Sequence, residues 1–326
     1  MFEDILIIIA GFVILLWGAD RFVNGASSIA SNLGISPLVI GLTIVGLGTS
    51  APEILISAVS SFEGNPDLAI GNAIGSNITN VALVLGFTAL VIPLSVRSET
   101  LKREYPMLLA VTVVSMILLM DGHFSRIDGA TLTIGLFIVL YSITMISMRT
   151  RKSDPIVHEF EDEIPTDVST GRAVFLFILG LGLLLLGSKL LVNGAVSIAT
   201  ALGVSDVIIG LTIVAIGTSL PELAASIVSA YRKEHDIAIG NIIGSNMFNL
   251  LAVLGLPGLI RPGPLPEDLM TRDFPLMAGL IVLMFAMAYG FRGPGRINRF
   301  EGAILLCIFI GYQITLYYSQ MHQDSI

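Results

Sequence analysis

The chain carries the same pair of motifs twice, at an offset of 169 residues. GLTIVGLGTSAPE at 41–53 returns as GLTIVAIGTSLPE at 210–222, and GNAIGSN at 71–77 returns as GNIIGSN at 240–246. At this offset, 38 of the 69 residues in 18–86 are identical to their counterparts in 187–255. Such agreement indicates internal duplication, so the fold must be built from two copies of one unit.

The composition excludes a soluble globular domain. Apolar residues make up 54% of the chain and charged residues only 13%, whereas soluble domains carry roughly 25% charged residues. Apolar stretches of about 20 residues recur from end to end, which indicates a multi-pass helical membrane protein. The N-terminal stretch is acidic where a signal peptide would be basic, so we expect it to form the first span.

The apolar stretches predict ten transmembrane helices. They cover roughly 5–28, 37–61, 67–91, 104–121, 127–148, 172–198, 206–230, 236–260, 274–290 and 300–319. We predict an all-α integral membrane fold with a first repeat at 1–148, a cytoplasmic acidic linker at 149–171 and a second repeat at 172–326. Because five spans is an odd number, the second repeat enters the membrane from the opposite side, and the two five-helix repeats are inverted.

The basic residues set the orientation of these spans. With the N-terminus outside, 12 Lys and Arg residues fall in inside loops and 3 in outside loops. This bias follows the positive-inside rule and predicts that both termini lie outside, in a protein of the cell (inner) membrane. Inverted repeats place a substrate site near the middle of the membrane, where the two copies face each other.

The GTSxPE motif breaks a helix next to a carboxylate. Pro52 and Pro221 lack an N–H, so the carbonyls four residues earlier lose their helical partners, and a bound cation can satisfy such groups. A charged side chain at the centre of a membrane costs about 2.5–3.5 kcal/mol, which marks Glu53 and Glu222 as functional candidates. The oxygen-bearing side chains of each break are Thr49, Ser50 and Glu53 in the first copy and Thr218, Ser219 and Glu222 in the second.

Hydroxyl, carbonyl and carboxylate oxygens are hard ligands, which suit Ca²⁺ and Na⁺ rather than soft metals. The alternative is a proline kink whose Thr and Ser side chains bond to their own backbone. A polar stripe follows in the next helix of each copy, because residues four apart share one helix face. Its members are Ser76 and Asn80 in the first copy and Ser245 and Asn249 in the second. For Asn72 and Asn241, at the start of the stripe, ion binding and interhelical hydrogen bonding both stay open.

Two facing carboxylates need a compensating charge. One Ca²⁺ would supply it, and so would two Na⁺ or protons. A site that competing ions can neutralise is the physical basis of antiport, because the empty, doubly charged site should resist rearrangement while the loaded site can switch.

The paired motifs resemble the two α-repeats of the sodium/calcium exchanger branch of the cation/calcium antiporter superfamily, in its prokaryotic form. The resemblance covers essentially the whole chain and implies exchange of Ca²⁺ against Na⁺. It implies Ca²⁺ ligation by Thr49, Glu53, Thr218 and Glu222. It also implies that the Na⁺ sites are completed by Ser50, Ser76, Asn80, Ser219, Ser245, Asn249 and the backbone carbonyls of Gly46 and Ala215. Some exchangers carry Asp at the position of Asn249, so this chain has two ionisable site groups instead of three.

We therefore expect a secondary active antiporter and not an enzyme. It would exchange Ca²⁺ for Na⁺ by alternating access in a lipid bilayer, without a cofactor or a nucleic-acid partner, and function as a monomer. Two alternatives stay open. One is the same architecture with H⁺ as the counter-ion, and the other is an intramembrane hydrolase that uses the paired carboxylates.

Overall fold

The protein is a helical bundle, seen in a computed structural model that describes residues 2–96, 98–150, 168–202, 215–266, 268–289 and 295–323. The helices are α1 (Phe2–Leu33), α2 (Pro37–Thr49), α3 (Ala51–Phe62), α4 (Pro66–Val91), α5 (Ser98–Leu119), α6 (Arg126–Thr150), α7 (Thr170–Ala201), α8 (Ala215–Thr218), α9 (Leu220–Tyr231), α10 (His235–Ile260), α11 (Leu269–Ala288) and α12 (Arg299–Gln323). Residues 151–167 of the predicted linker and 203–214 of the predicted seventh span lie outside the described residues.

Seven of the described helices are long and apolar enough to cross a membrane, and the number rises to eight if the bent pair α2 and α3 counts as one span. All-helical spans are expected here, because an α-helix satisfies its backbone hydrogen bonds internally in lipid. The helices fall on the predicted apolar stretches, although α1 and α7 are several residues longer at both ends. Helix α5 contains a shorter apolar segment, Glu104–Leu119.

The bundle has two apolar cores. An 18-residue window of α10 is wholly buried and α4 is largely buried, and with α5 and α11 they form the larger core. The smaller core lies under α1, where α7 and α9 pack against it. The two central helices, α4 and α10, carry the polar stripes.

Helices α1 and α7 are antiparallel and pack backbone to backbone. Glycines recur every seven residues on the contact face of both helices: Gly11, Gly18 and Gly25 on α1, and Gly180, Gly187 and Gly194 on α7. A Cβ atom on Gly180 would lie 2.3 Å from the backbone nitrogen of Phe22, and one on Gly25 would lie 2.4 Å from that of Phe177. Small residues of this kind let two membrane helices approach closely.

Four two-residue strands depart from the all-α prediction. Strand β1 (Leu94–Ser95) pairs with β4 (Arg296–Ile297), and β2 (His123–Phe124) pairs with β3 (Gly263–Pro264), both antiparallel. These strands lie in the connections between helices, where the backbone groups have no helical partner. They tie distant loops of the two halves together without changing the helical architecture.

We expect the α1–α7 contact to be sensitive to one methyl group. Gly180→Ala should lower the free energy of unfolding by about 1–3 kcal/mol, because the added Cβ overpacks against the backbone of α1. The measurement is thermal unfolding of the detergent-purified protein. The matched control is Gly182→Ala on the exposed side of α7, where no described atom lies within 4 Å of the added Cβ. Equal destabilisation by the two substitutions would contradict the close contact.

Candidate ion-binding site

The first GTSxPE motif forms the break that its proline predicts. Helices α2 and α3 meet at an angle of 44°, and Ser50 between them leaves the helical region with φ −81° and ψ 4°. Pro52 lies in the first turn of α3, where a missing N–H costs nothing. Glu53 follows in the same turn and is buried. The motif thus places a carboxylate at the start of a helix in the middle of the bundle.

The second motif has the same geometry. Ser219 separates α8 from α9 with φ −92° and ψ 5°, and Glu222 is buried in the first turn of α9. The freed carbonyl of Gly217 accepts a hydrogen bond from Ser188 on α7 at 2.7 Å. This partner is not predicted from the sequence. Ser188 is a single buried hydroxyl next to Lys189 in α7, and its sequence context does not point to this contact. The residue equivalent to Ser188 in the first copy is Ala19, which has no hydroxyl.

Both polar stripes end in a wide helical turn. The backbone adopts π-helical geometry over Asn80–Leu85 in α4 and over Asn249–Val253 in α10. Turns of this kind are rare and occur often at functional sites. Ser57 on α3 donates to the Val253 carbonyl at 2.6 Å, so the first copy's broken helix is bonded to the second copy's wide turn.

The two copies meet at Thr49. Its hydroxyl lies 3.1 Å from Asn241 Oδ1 and 3.4 Å from Ser245 Oγ, both on α10 of the second copy. Glycines permit this approach, because a Cβ atom on Gly244 would lie only 2.3 Å from the Leu42 carbonyl oxygen. A Cβ on Gly46 would likewise lie 3.1 Å from the backbone nitrogen of Ser245. The second motif of one copy therefore packs directly against the first motif of the other.

The two carboxylates are neighbours. Glu222 lies beside the hydroxyls of Thr49 and Ser50 and close enough to Glu53 for the two charges to repel each other. Each carboxylate has one buried oxygen, Oε2, without a hydrogen-bond partner in the part of the chain that the structure describes. Two buried carboxylates held together in this way need compensation, either by a bound cation or by protonation.

Most of the predicted ligands are buried. The fully buried members of the predicted set are Thr49, Ser50, Glu53, Ser76, Asn80, Ser219, Glu222, Ser245 and Asn249. Thr218 is half-buried, Gly46 is buried, and Ala215 is the first residue of α8. The hydroxyls of Ser50 and Ser219 and the Oδ1 atoms of Asn80 and Asn249 have no described hydrogen-bond partner. Orphaned oxygens at such depth fit a hard cation, although the ligand role of each residue stays a prediction.

Asn241 is the residue whose role the structure sharpens most. Its Nδ2 donates to the backbone carbonyl of Glu222 at 3.3 Å and to Ser226 Oγ at 3.1 Å, while its Oδ1 accepts from the Thr49 hydroxyl. Its counterpart Asn72 donates to the Glu53 carbonyl, also at 3.3 Å. Of the two alternatives for these asparagines, the contacts favour hydrogen bonding that positions the site over direct ion binding.

The donor set also limits the kind of ion. No group of three or more His, Cys, Asp or Glu side chains that could hold a metal occurs among the described residues. The site instead combines two carboxylates with hydroxyl, amide and backbone oxygens. Such a set binds alkali and alkaline-earth cations reversibly, whereas transition metals prefer nitrogen and sulfur ligands.

The sequence profile of the family described as sodium/calcium exchanger protein matches residues 4–145 and 172–318, which is most of both halves. The chain belongs to the sodium/calcium exchanger family. The sodium/calcium exchanger MaX1 of Methanosarcina acetivorans is 31% identical over 97% of this chain and 99% of its own length. The inner membrane protein YrbG of Escherichia coli is 39% identical over 96% of each chain.

Solved structures agree with this assignment. The sodium-calcium exchanger NCX_Mj, soaked with Na⁺ and Ca²⁺, matches with a TM-score of 0.80 and 33% identity, over 95% of this chain and 97% of its own. The predicted resemblance is thus confirmed. The protein is an antiporter for Ca²⁺ or related cations and not an enzyme, so the intramembrane hydrolase alternative is wrong.

We expect Asn241 to set cation affinity without touching the cation. Asn241→Ala should weaken apparent Ca²⁺ affinity by about 5- to 30-fold, because buried partners that lose a hydrogen bond cost about 1–2 kcal/mol. Ser226→Ala, which removes one of the partners of Asn241, should have a smaller effect in the same direction. Calcium binding by calorimetry on the purified protein checks both. A larger loss in Ser226→Ala than in Asn241→Ala would contradict this order.

Proposed function

We propose that the protein exchanges Ca²⁺ for Na⁺ across the membrane by alternating access. The observation that carries the proposal is the buried pair Glu53 and Glu222, one from each copy, with hydroxyls of Thr49 and Ser50 next to them. MaX1 and NCX_Mj, which match almost the whole chain, are both named sodium/calcium exchangers.

The charge of the site explains why exchange is coupled. The two negative charges of the carboxylates are balanced equally by one Ca²⁺ or by two Na⁺. The two kinds of ion therefore compete for one set of oxygen ligands. The unloaded site keeps two negative charges in an apolar bundle, which opposes any rearrangement that exposes it to hydrocarbon. Only the protein with ions bound changes between the two access states. Net transport of one ion therefore requires transport of the other in the opposite direction.

We further propose ten spans arranged as two inverted repeats, with both termini outside an inner membrane. The strand pairs support the inversion, because β1 and β3 are equivalent at an offset of 169 residues and β2 and β4 occupy corresponding loops. The repeat therefore exchanges the pair β1–β4 with the pair β2–β3, as a two-fold axis would. The glycines of α1 and α7 are equivalent at the same offset and contact each other. The name of YrbG supports the inner membrane.

Within this proposal, Ca²⁺ is held by Thr49, Glu53, Thr218 and Glu222. The Na⁺ sites are completed by Ser50, Ser76, Asn80, Ser219, Ser245 and Asn249, with the carbonyls of Gly46 and Ala215. The burial of these residues and the unpartnered oxygens among them support the assignment. The protein is proposed to work as a monomer, because both halves of the site come from one chain.

Neutralising either carboxylate should abolish exchange. Glu53→Gln and Glu222→Gln should each reduce Na⁺-gradient-driven ⁴⁵Ca²⁺ flux in proteoliposomes by roughly 30-fold or more, because an interaction with a charged group worth about 2 kcal/mol or more is lost. The control is Glu3→Gln, at an exposed position at the start of α1. Undiminished flux in both site variants would refute the assignment of the carboxylates.

The coupling ion is tested by the gradient that drives uptake. In proteoliposomes loaded with Na⁺, dilution into Na⁺-free medium should drive ⁴⁵Ca²⁺ accumulation, and a pH gradient at equal Na⁺ should not. Accumulation driven by the pH gradient alone would replace Na⁺ by H⁺ as the counter-ion and leave the site itself in place. A K⁺ gradient serves as the matched control for salt and membrane potential.

A further inference from the structure

An ion pair joins α1 to the turn that follows α9. Arg232 donates to Asp20 through Nε at 2.9 Å and also through Nη2. Asp20 accepts a second bond from its neighbour Arg21 at 2.7 Å, and Arg21 lies over the ring of Trp17. The carboxylate and both guanidinium groups are about one-third exposed. An ion pair thus links α1 to the second copy. Neither of its residues belongs to the predicted ligand set.

The internal repeat reverses both charges of this pair. At the offset of 169 residues, Asp20 corresponds to Lys189 on α7, and Arg232 corresponds to Glu63 in the turn after α3. Both residues are exposed, and neither takes part in an ion pair identified among the described residues. Each copy therefore has one acidic and one basic residue at these two positions, but the acid and the base are interchanged between the copies.

The two turns are also equivalent in backbone conformation. Gly64 and Lys233, which occupy the same position in the two copies, have φ values of 92° and 65° and are both left-handed. For Lys233 this conformation is uncommon, since a side chain disfavours it. Glu63 and Arg232 precede these residues directly, so the repeat places them at matching points of matching turns.

The contacts of the two turns differ, although their sequences correspond. Helix α1 packs along α9, whereas the equivalent helices α7 and α3 barely touch. The two long helices are one packed unit, because their glycines bring the backbones together. The close contacts of Gly18 with Leu184 and of Gly180 with Phe22 place Asp20 level with residue 182. Lys189 is seven residues further along α7, which is about 10 Å at 1.5 Å per residue. One unit therefore carries an anion that pairs with the basic turn after α9 and a cation whose repeat-equivalent partner is the acidic turn after α3.

We propose that Asp20–Arg232 and Lys189–Glu63 are alternative locks, one for each access state of the exchanger. The inference rests on the proposed inverted repeats. Inverted repeats support alternating access by movement of one part of the protein against the other around a fixed site. We take the second state to be the one in which the two copies exchange conformations, so that each contact between copies is replaced by its equivalent. The pair Asp20–Arg232 then opens, and Lys189 reaches Glu63. The α1–α7 unit moves between two positions, and an ion pair holds it in each.

The local charges fit this exchange. When Arg232 leaves, Asp20 keeps Arg21 as a partner, so the anion is not left alone beside apolar surface. In the observed state, the long side chain of Lys189 lies on the exposed face of α7, where its ammonium group can extend toward the membrane surface. The Arg261 side chain lies next to Gly64, in the turn of Glu63.

The test crosslinks each pair in functional protein. Cys307 is replaced by Ser to remove the single cysteine, and two double variants are built, Asp20→Cys with Arg232→Cys, and Lys189→Cys with Glu63→Cys. A short bis-methanethiosulfonate reagent is applied in proteoliposomes during exchange. We expect both pairs to crosslink, and each crosslink to stop ⁴⁵Ca²⁺ flux until a reductant is added. The crossed pair Asp20→Cys with Glu63→Cys should not crosslink.

Charge exchange provides the second arm. Lys189→Glu should lower the exchange rate by about two- to fivefold, the range for a partly exposed ion pair, and Lys189→Glu with Glu63→Lys should restore it. Failure of the Lys189–Glu63 crosslink in variants that still transport, or failure of the double reversal to restore flux, would overturn the locks and leave the antiport intact. Absence of Na⁺-driven flux in the unmodified protein would instead overturn the proposed function.

Discussion

Two carboxylates, Glu53 and Glu222, lie buried next to each other inside an apolar bundle, and most unusual features of the fold follow from that contact. Each acid stands at the start of a helix that its proline has interrupted. The wide turns begin at Asn80 and Asn249, two buried residues whose amide oxygens have no described hydrogen-bond partner. A bundle that only had to cross a membrane would need none of these features, so they make sense together as a means of holding a cation.

Duplication provides the geometry that a single copy lacks. The first motif of one copy packs on the second motif of the other, as Thr49 does on Asn241 and Ser245. The contact is possible because glycines such as Gly244 leave room for the backbone of α2. The site is therefore an interface between copies, and its stability and its ion affinity depend on the same close approach.

Much of this could be predicted from the sequence, and the reasons are physical. Burying an acid such as Glu53 in a membrane costs free energy, so an acid within an apolar stretch indicates a functional site. Proline interrupts a helix at a defined residue, so the position of the break can also be read from the sequence. The helix ends were less predictable, since α1 and α7 extend beyond their apolar stretches. Contacts between residues far apart in the chain, such as Ser188 with the Gly217 carbonyl, could not be predicted, because an isolated serine carries no periodic signal. The ligand assignments of Ser76 and the other stripe residues remain predictions.

The Ser188 hydroxyl also breaks the equality of the two halves. It stabilises the interrupted helix of the second copy, while Ala19 offers the first copy only a methyl group. Two conformations that exchange the roles of the copies then differ in energy, because only one copy has this hydrogen bond to lose. Under the proposed alternating access, this hydrogen bond would favour one of the two states at rest, and the same ion would then meet a different effective affinity from each face of the membrane. The Ser188 hydroxyl is thus one of the differences between the copies, outside the candidate site, that make the two states unequal.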